Sequence, residues 1–306
     1  MKESEHIIAF IDILGYTNEI EQYIENNNQA FLKKIYITIK NFERKIKDLI
    51  IKFKLINNVF KIHYKIFSDT IIVYTNLDIL LEFKYFEIAL FFHMISEINF
   101  IFLEAKILIR GGVAKGRGFI TKNIMFSSAL TKAIEIEKNQ SIYPRIVVEN
   151  EIIDEIKNMY NVILKEKRNG SGKYIMVDVD YCETLFDDLF VLDWDYSYFI
   201  NPFYQFIFNI QFYMRYLDTK YGDSIESKNC IDKNNSVINE LEILIASNME
   251  QKHHIKLKYI WLLNFIDWLR FKNSKIKFDL LRFHTDEEAH KIEDKSNSVA
   301  NDPNYS

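Results

Sequence analysis

Asp12 and Asp69 are the residues of this chain best placed by type to do chemistry. Each sits inside a short apolar run: Asp12 in Ala9-Phe10-Ile11-Asp12-Ile13-Leu14-Gly15-Tyr16, and Asp69 in Lys65-Ile66-Phe67-Ser68-Asp69-Thr70-Ile71-Ile72-Val73-Tyr74. An ionised carboxylate among Ile, Val and Phe is costly unless it is paired or holds a cation. A lone Asp in such a run reads as a turn or a helix cap. Two of them in one N-terminal domain point instead to a shared divalent ion, Mg²⁺ or Mn²⁺, and so to phosphate chemistry.

Further charged residues suit the same chemistry. Arg110, Lys115 and Arg117 cluster around the glycines of Arg110-Gly111-Gly112-Val113-Ala114-Lys115-Gly116-Arg117-Gly118. Such cations bind phosphate bidentately or as point charges, and Arg110, inside an apolar strand, has the greatest need of a partner. Asp12 leads into Gly15, Tyr16 and Thr17, whose amides at a helix start would face a polyphosphate, with Gly15 permitting close backbone approach. Lys65, Phe67 and Asp69 share a strand face if the strand stays regular. Lys65 reads on this pattern as a solvated strand lysine.

The elements that must hold these residues follow from pattern. Ile7–Leu14 is a continuous apolar strand of the kind covered on both faces. Thr17-Asn18 is a plausible cap for a helix toward Lys54, broken near Asn26-Asn27-Asn28. Val59–Tyr74 reads as a hairpin with Ser68-Asp69 at its turn, and Ile79–Leu103 as a buried helix. A strand over Lys106–Val113 runs into the glycine segment, and Ser127 or Ser128 caps a helix to about Lys138. Tyr143-Pro144-Arg145-Ile146-Val147-Val148 is a strand, Glu151–Met159 a short helix, and Tyr174–Val179 a strand after Gly170-Ser171-Gly172. This order predicts an α+β fold with helices against one sheet. Phe203–Leu217 and Val237–Phe271 show helical spacing, with Trp261, Leu262, Phe265, Trp268 and Leu269 as a wide stripe. That stripe suits either packing on the first domain or dimerisation. Asp218–Asn235 reads as a mobile loop. The expected division is a catalytic domain over 1–200, a helical extension over 201–283 and a disordered tail over 284–306.

Composition excludes several classes. A formal charge of -4 gives no footprint for nucleic acid. Cys182 and Cys230 form no motif, so neither disulfide nor zinc is indicated, as in a reducing cytosol. The charged Lys2-Glu3-Ser4-Glu5-His6 start does not read as a signal peptide. Glu82, Lys84, Glu87, His93 and Glu97 make the apolar Ile79–Leu103 stretch a buried helix rather than a membrane span. A cytoplasmic protein without membrane contact is expected.

Taken together, these motifs resemble the class III nucleotide cyclases. Phe10-Ile11-Asp12-Ile13-Leu14-Gly15-Tyr16-Thr17 is similar to that family's first metal motif. Ile66-Phe67-Ser68-Asp69 is similar to its second, with Ser where the family has Gly. Ile109-Arg110-Gly111-Gly112-Val113-Ala114-Lys115-Gly116 is similar to its Arg-x-Gly strand. The resemblance covers about residues 5–200, and its wording is closest to the bacterial pyrimidine cyclases of anti-phage (Pycsar) signalling. It implies a ferredoxin-like palm and two Mg²⁺ or Mn²⁺ ions on Asp12, Asp69 and the Ile13 backbone. It implies base selection by Lys65 and a homodimer with sites at its interface. The product would be cyclic UMP or cyclic CMP, read by a separate effector. An adenylate or guanylate cyclase, or an inactive nucleotide sensor, is the alternative. Where the family has its transition-state Asn and Arg, this chain has Thr131 and Glu135, with Lys132 between. A carboxylate cannot stabilise a phosphorane, so Lys132, Lys115 or Arg117 is expected to serve. Tyr143-Pro144-Arg145 reads as a strand start whose Arg covers an acidic neighbour, and Asp193-Trp194-Asp195 as a solvated turn.

Overall fold

The computed structural model describes residues 3–26, 29–54, 62–78, 81–121, 123–168, 189–204, 225–250 and 253–272. Eight strands form one sheet: β1 (Ser4–Ile13), β2 (Ile62–Phe67), β3 (Thr70–Asn76), β4 (Ile109–Ile120), β5 (Met125–Ser127), β6 (Ile146–Val148), β7 (Phe190–Leu192) and β8 (Tyr198–Ile200). Their spatial order is β2-β3-β1-β4-β6-β8-β7, with β5 paired to β4 beside this path. Only β4 and β6 run parallel; the other described pairs are antiparallel. The helices are α1 (Tyr16–Asn26), α2 (Ala30–Lys54), α3 (Leu81–Glu104), α4 (Ser128–Asn139), α5 (Asn150–Arg168), α6 (Ile225–Asn248) and α7 (His253–Lys272). The fold is α+β, as the element pattern predicts.

Strand alternation explains the central position of β1. Ile7, Ala9, Ile11 and Ile13 enter the main core with Phe42 and Ile46 of α2, Phe91 and Ile95 of α3, and Ile152 and Ile156 of α5. Ile8 and Phe10 face the other way, toward Ala129 of α4, while Ala114 and Val147 meet Ala133 and Ile136. A strand with apolar residues on both faces must have both covered, which is why the run is continuous rather than alternating. Asp12 belongs to the α4 face.

The strand expected over Lys106–Val113 runs over Ile109–Ile120, so the glycine segment is the body of β4 and its glycines serve packing. A Cβ on Gly112 would lie 2.2 Å from the Ala133 carbonyl oxygen, and one on Gly116 would lie 2.4 Å from Ser128 Oγ. Only hydrogen side chains let α4 sit this close to the sheet. Ser127 caps α4, its Oγ accepting from the Ala129 amide at 3.2 Å.

Other boundaries shift. The first helix begins at Tyr16, directly after Gly15, rather than at a Thr17-Asn18 cap. The short helix expected over Glu151–Met159 runs from Asn150 to Arg168. Polar residues expected to form a mobile loop are helical from Ile225 on. The expected strand Tyr174–Val179, the turn before it, most of Phe203–Leu217 and the tail lie outside the described residues. A first compact unit runs from Met1 to Leu263, so α6 and the first half of α7 belong to it. Within it, α6 is tied to α3 by Lys233 with Glu104 at 2.8 Å, and to Lys106 by Glu240 at 3.0 Å. A second unit begins at Asn264; there the rings of Phe265 and Trp268 stack 5.7 Å apart. Among the described residues, no helix is long and apolar enough to cross a membrane.

Candidate active site

Ser68 and Asp69 are the two central residues of the β2–β3 turn, closed by the Phe67–Thr70 pair. Ser68 takes φ 55, the left-handed region that a two-residue hairpin demands at its first central position. Glycine would adopt it freely, whereas Ser pays roughly 1–2 kcal/mol. The turn brings Asp69 beside the end of β1: the Ile13 amide donates to the Asp69 carbonyl oxygen at 3.0 Å, and Asp12 pairs with Thr70. The backbone at Ile13 is thereby fixed next to both aspartates.

Burial pushes the Asp12 carboxyl above the ordinary aspartate value. The Arg110 guanidinium pulls it down again, and the neighbouring Asp69 charge pushes it up. Arg110, cross-strand from Asp12, sets its Nε 3.4 Å from Asp12 Oδ2 and 2.7 Å from Glu137 Oε1. Glu137, on the buried face of α4, is itself raised by burial, with Arg110 opposing and Asp12 reinforcing the shift. Asp12 and Glu137 thus share one half-buried guanidinium, with the Asp69 charge beside Asp12.

Such a donor set is chemically suited to Mg²⁺ or Mn²⁺. Among the described residues no cluster of three or more His, Cys, Asp or Glu side chains forms a closed cage. Two carboxylates on adjacent strand ends fit an ion that keeps water and phosphate oxygens as its remaining ligands. The raised Asp12 carboxyl is the observation that such an ion would relieve.

Gly15 takes φ 80 with nothing within 4 Å of where a Cβ would stand, so the turn rather than crowding requires glycine. Tyr16 packs against the main core and Thr17 is exposed on the first turn of α1. The first amides of α1 have no partner within the helix and open beside the Asp12 strand end. Lys65 faces the same side of the sheet as Asp12, since it pairs with Ile72 and Ile72 with Phe10. Two strand spacings, about 10 Å, separate β2 from β1. Its Nζ donates to the Thr121 carbonyl at 3.2 Å.

The remaining predicted cations are not brought to the pair. Alternation along β4 sends Lys115 and Arg117 to the face opposite Arg110, and Arg117 lies about 23 Å further along the strand. Lys115 is bound by Glu155 of α5, and Arg117 pairs with Glu3 at 3.6 Å. Lys132 donates to Glu149 at 2.6 Å, while Thr131 and Glu135 are exposed. Grouping these cations by their nearness in sequence hid this split.

Sequence reasoning missed two residues. Glu137 follows Ala129, Ala133 and Ile136 at helical spacing, so an acid on an apolar face was its signal. Lys258 of α7, half-buried, acts electrostatically on Asp12 and Arg110. Arg145 does cover an acidic neighbour, as expected. Its partners are Asp193 and Asp195; Arg145 and Asp193 are both buried, so Asp193 is not the solvated acid expected of that turn, while Asp195 stays exposed.

No protein-family model matches the chain, and no curated protein matches it. Two solved structures that match are cyclase domains. The catalytic core of a rhodopsin-guanylyl cyclase with converted specificity, in complex with ATPαS, is 13% identical over 49% of this chain and 79% of that one, with a TM-score of 0.33. The guanylate cyclase domain of RhGC from Catenaria anguillulae, in complex with GTP, is 15% identical over 51% and 85%, with a TM-score of 0.35. At such scores the likeness carries no functional argument. That argument rests on the site's own residues.

Proposed function

We propose that this chain is a nucleotide cyclase that converts a pyrimidine nucleoside triphosphate, UTP or CTP, to its 3′,5′-cyclic monophosphate and pyrophosphate. The carrying observation is the aspartate pair: Asp69 in a strained hairpin turn is locked against the end of β1, where Asp12 bears a raised carboxyl beside Arg110. Asp12, Asp69 and the Ile13 backbone would hold two Mg²⁺ or Mn²⁺ ions. Such ions, when bound, lower the proton affinity of the attacking hydroxyl and offset charge on the phosphates.

The chain's own groups supply orientation and charge. The Gly15–Thr17 amides at the start of α1 face a region suited to β- and γ-phosphates. Arg110, held by Glu137, is aimed at the space before Asp12 and can donate to an α-phosphate oxygen. In the reaction the 3′ oxygen bonds to the α-phosphorus, the bond from that phosphorus to the bridging oxygen breaks, and the hydroxyl proton is released. Lys65, on the same face and a nucleotide's breadth away, reads the base in this proposal. The pyrimidine preference, a homodimer completing each site, a cytoplasmic setting and a role in anti-phage signalling through an effector draw on the resemblance of the motifs. Phe67, 58% exposed beside Asp69, suits burial by a second copy.

A second reading, nucleotide binding without catalysis, is favoured by α4. Its Lys132 is engaged by Glu149 and it presents no Asn or Arg at Thr131 and Glu135. One assay separates the readings. Purified full chain with Mn²⁺ is incubated with each of ATP, GTP, CTP and UTP beside Asp69→Ala, and products are resolved by chromatography and mass spectrometry. Cyclic UMP or CMP from the parent chain and none from Asp69→Ala is expected. A purine product would move the assignment to an adenylate or guanylate cyclase, and binding without any product would replace it with the sensor.

A further inference from the structure

The carboxylates at the pair exceed the cations that the sheet provides. Asp12 and Glu137 meet Arg110, Asp69 adds its charge beside Asp12, and Lys115, Arg117 and Lys132 are committed to acids elsewhere. A triphosphate would add about four more negative charges to this place. A further cation stands on α7.

The position of α7 follows from its anchor. Trp261 Nε1 donates to Asp193 Oδ2 at 2.9 Å, its ring lies parallel to Tyr143 at 6.0 Å, and it meets Phe199 edge-on at 5.3 Å. Phe199 pairs with Val147, Val147 with Gly112, and Gly112 with Phe10. Cross-strand partners share a face, so this row lies on the side of the sheet that carries Asp12 and Arg110. Lys258 is one turn before Trp261 and four residues before Leu262, both buried, so these three point the same way. Its ammonium is half-buried and makes no ion pair within 4.0 Å among the described residues, yet it feels Asp12 and Arg110. Such an ammonium is a mobile point charge held in reserve, suited to phosphate oxygens in variable positions.

We infer that Lys258 is a phosphate-binding residue of the active site, supplied by α7 to the polyphosphate of the substrate opposite Asp12 and Asp69. The inference rests on the cyclase reading for its substrate, but its chemistry is that of any metal-bound polyphosphate. Helix α7 then completes the site rather than merely covering the sheet.

The test compares the parent full chain with Lys258→Met and Lys258→Arg. Calorimetry measures binding of inorganic tripolyphosphate and of inorganic phosphate with Mn²⁺, and kinetics use whichever triphosphate the parent chain cyclises. Loss of one charge-assisted contact predicts about ten- to hundred-fold weaker tripolyphosphate binding in Lys258→Met. Inorganic phosphate should change less than three-fold, and Lys258→Arg should restore most of the loss. The Mn²⁺ affinity of Lys258→Met without phosphate should stay within about three-fold of the parent's. Tighter Mn²⁺ with unchanged tripolyphosphate would make Lys258 a stand-in for the metal and overturn the inference. Equal loss with tripolyphosphate and phosphate, or no loss, would also overturn it. A parent chain that cyclises nothing but binds tripolyphosphate through Lys258 removes the cyclase reading and keeps this one. Failure to bind any polyphosphate removes both.

Discussion

Asp12→Asn should stabilise the metal-free protein while abolishing its response to metal. In the native chain the Asp12 carboxyl is raised by burial and by Asp69, against the pull of Arg110. A raised carboxyl contributes stability at low pH and loses it as pH rises through its folded-state value, so at pH 8 the ionised group is a net burden. Asn removes that burden. It also removes the 3.4 Å contact to Arg110, a partly exposed pair worth at most about 1 kcal/mol. Arg110 stays engaged, because Glu137 lies closer, at 2.7 Å. Asp12→Asn should therefore melt at or above the parent chain at pH 8, and the difference should shrink toward pH 5. Saturating Mn²⁺ at a hundred times its dissociation constant adds about 2.7 kcal/mol to the parent. For a chain of this size that is a rise of roughly 4 °C. The variant should gain less than a third of it. Differential scanning fluorimetry with and without Mn²⁺ from pH 5 to 8 reads both effects. A variant that melts lower than the parent without metal at pH 8, yet keeps the full Mn²⁺ shift, would make Asp12 a structural partner of Arg110 and refute the reasoning.

Gly112→Ala places a methyl 2.2 Å from the Ala133 carbonyl oxygen and 2.8 Å from Ile136 Cβ, so α4 must move. Urea denaturation should show a loss of about 2–3 kcal/mol, with the proposed cyclase activity falling further because α4 carries Glu137. Arg145→Met leaves Asp193 buried without its guanidinium and should cost about 3–5 kcal/mol in the same assay. Adding Asp193→Asn to it should recover part of that loss. Burial pushes Glu87 up to about 7 and His93 down to about 4, both within α3. The protonated acid favours the fold below neutral pH and the neutral imidazole favours it above, so their slopes oppose each other. Glu87→Gln should expose the His93 slope: thermal stability should rise more steeply between pH 5 and 6.5 than in the parent chain.

Local pattern carried the positions of Asp12 and Asp69 because their surroundings are local. A continuous apolar run around Asp12 demands a doubly covered strand, and Ser68-Asp69 between two β-rich runs leaves room for little but a turn. Arg145 was legible for the same reason, since an Arg at the start of a buried strand needs an acid. The partner was not, because Asp193 is separated from it by much of the domain. The glycines of β4 misled, since a glycine that admits a helix looks the same in sequence as one that admits a phosphate. What distinguishes them is Ala133 pressed against Gly112, a contact between segments that only the folded sheet brings together.

That exchange of roles for the glycines changes where the site's positive charge must come from. With β4 a regular strand, its cations divide between two faces, and only Arg110 stays with the aspartates. Glu137 then takes part of Arg110 for itself, holding the guanidinium in place at the expense of its free charge. The proposed site, which gathers acids for metal and would receive a polyphosphate, needs a further cation from outside the sheet. Trp261, locked into the Arg145–Asp193 network, fixes α7 over the same face one turn from Lys258. In the proposed site this buried network thereby sets the position of the Lys258 charge. An Arg145 variant that still folds should accordingly weaken polyphosphate binding through Lys258, without touching either aspartate.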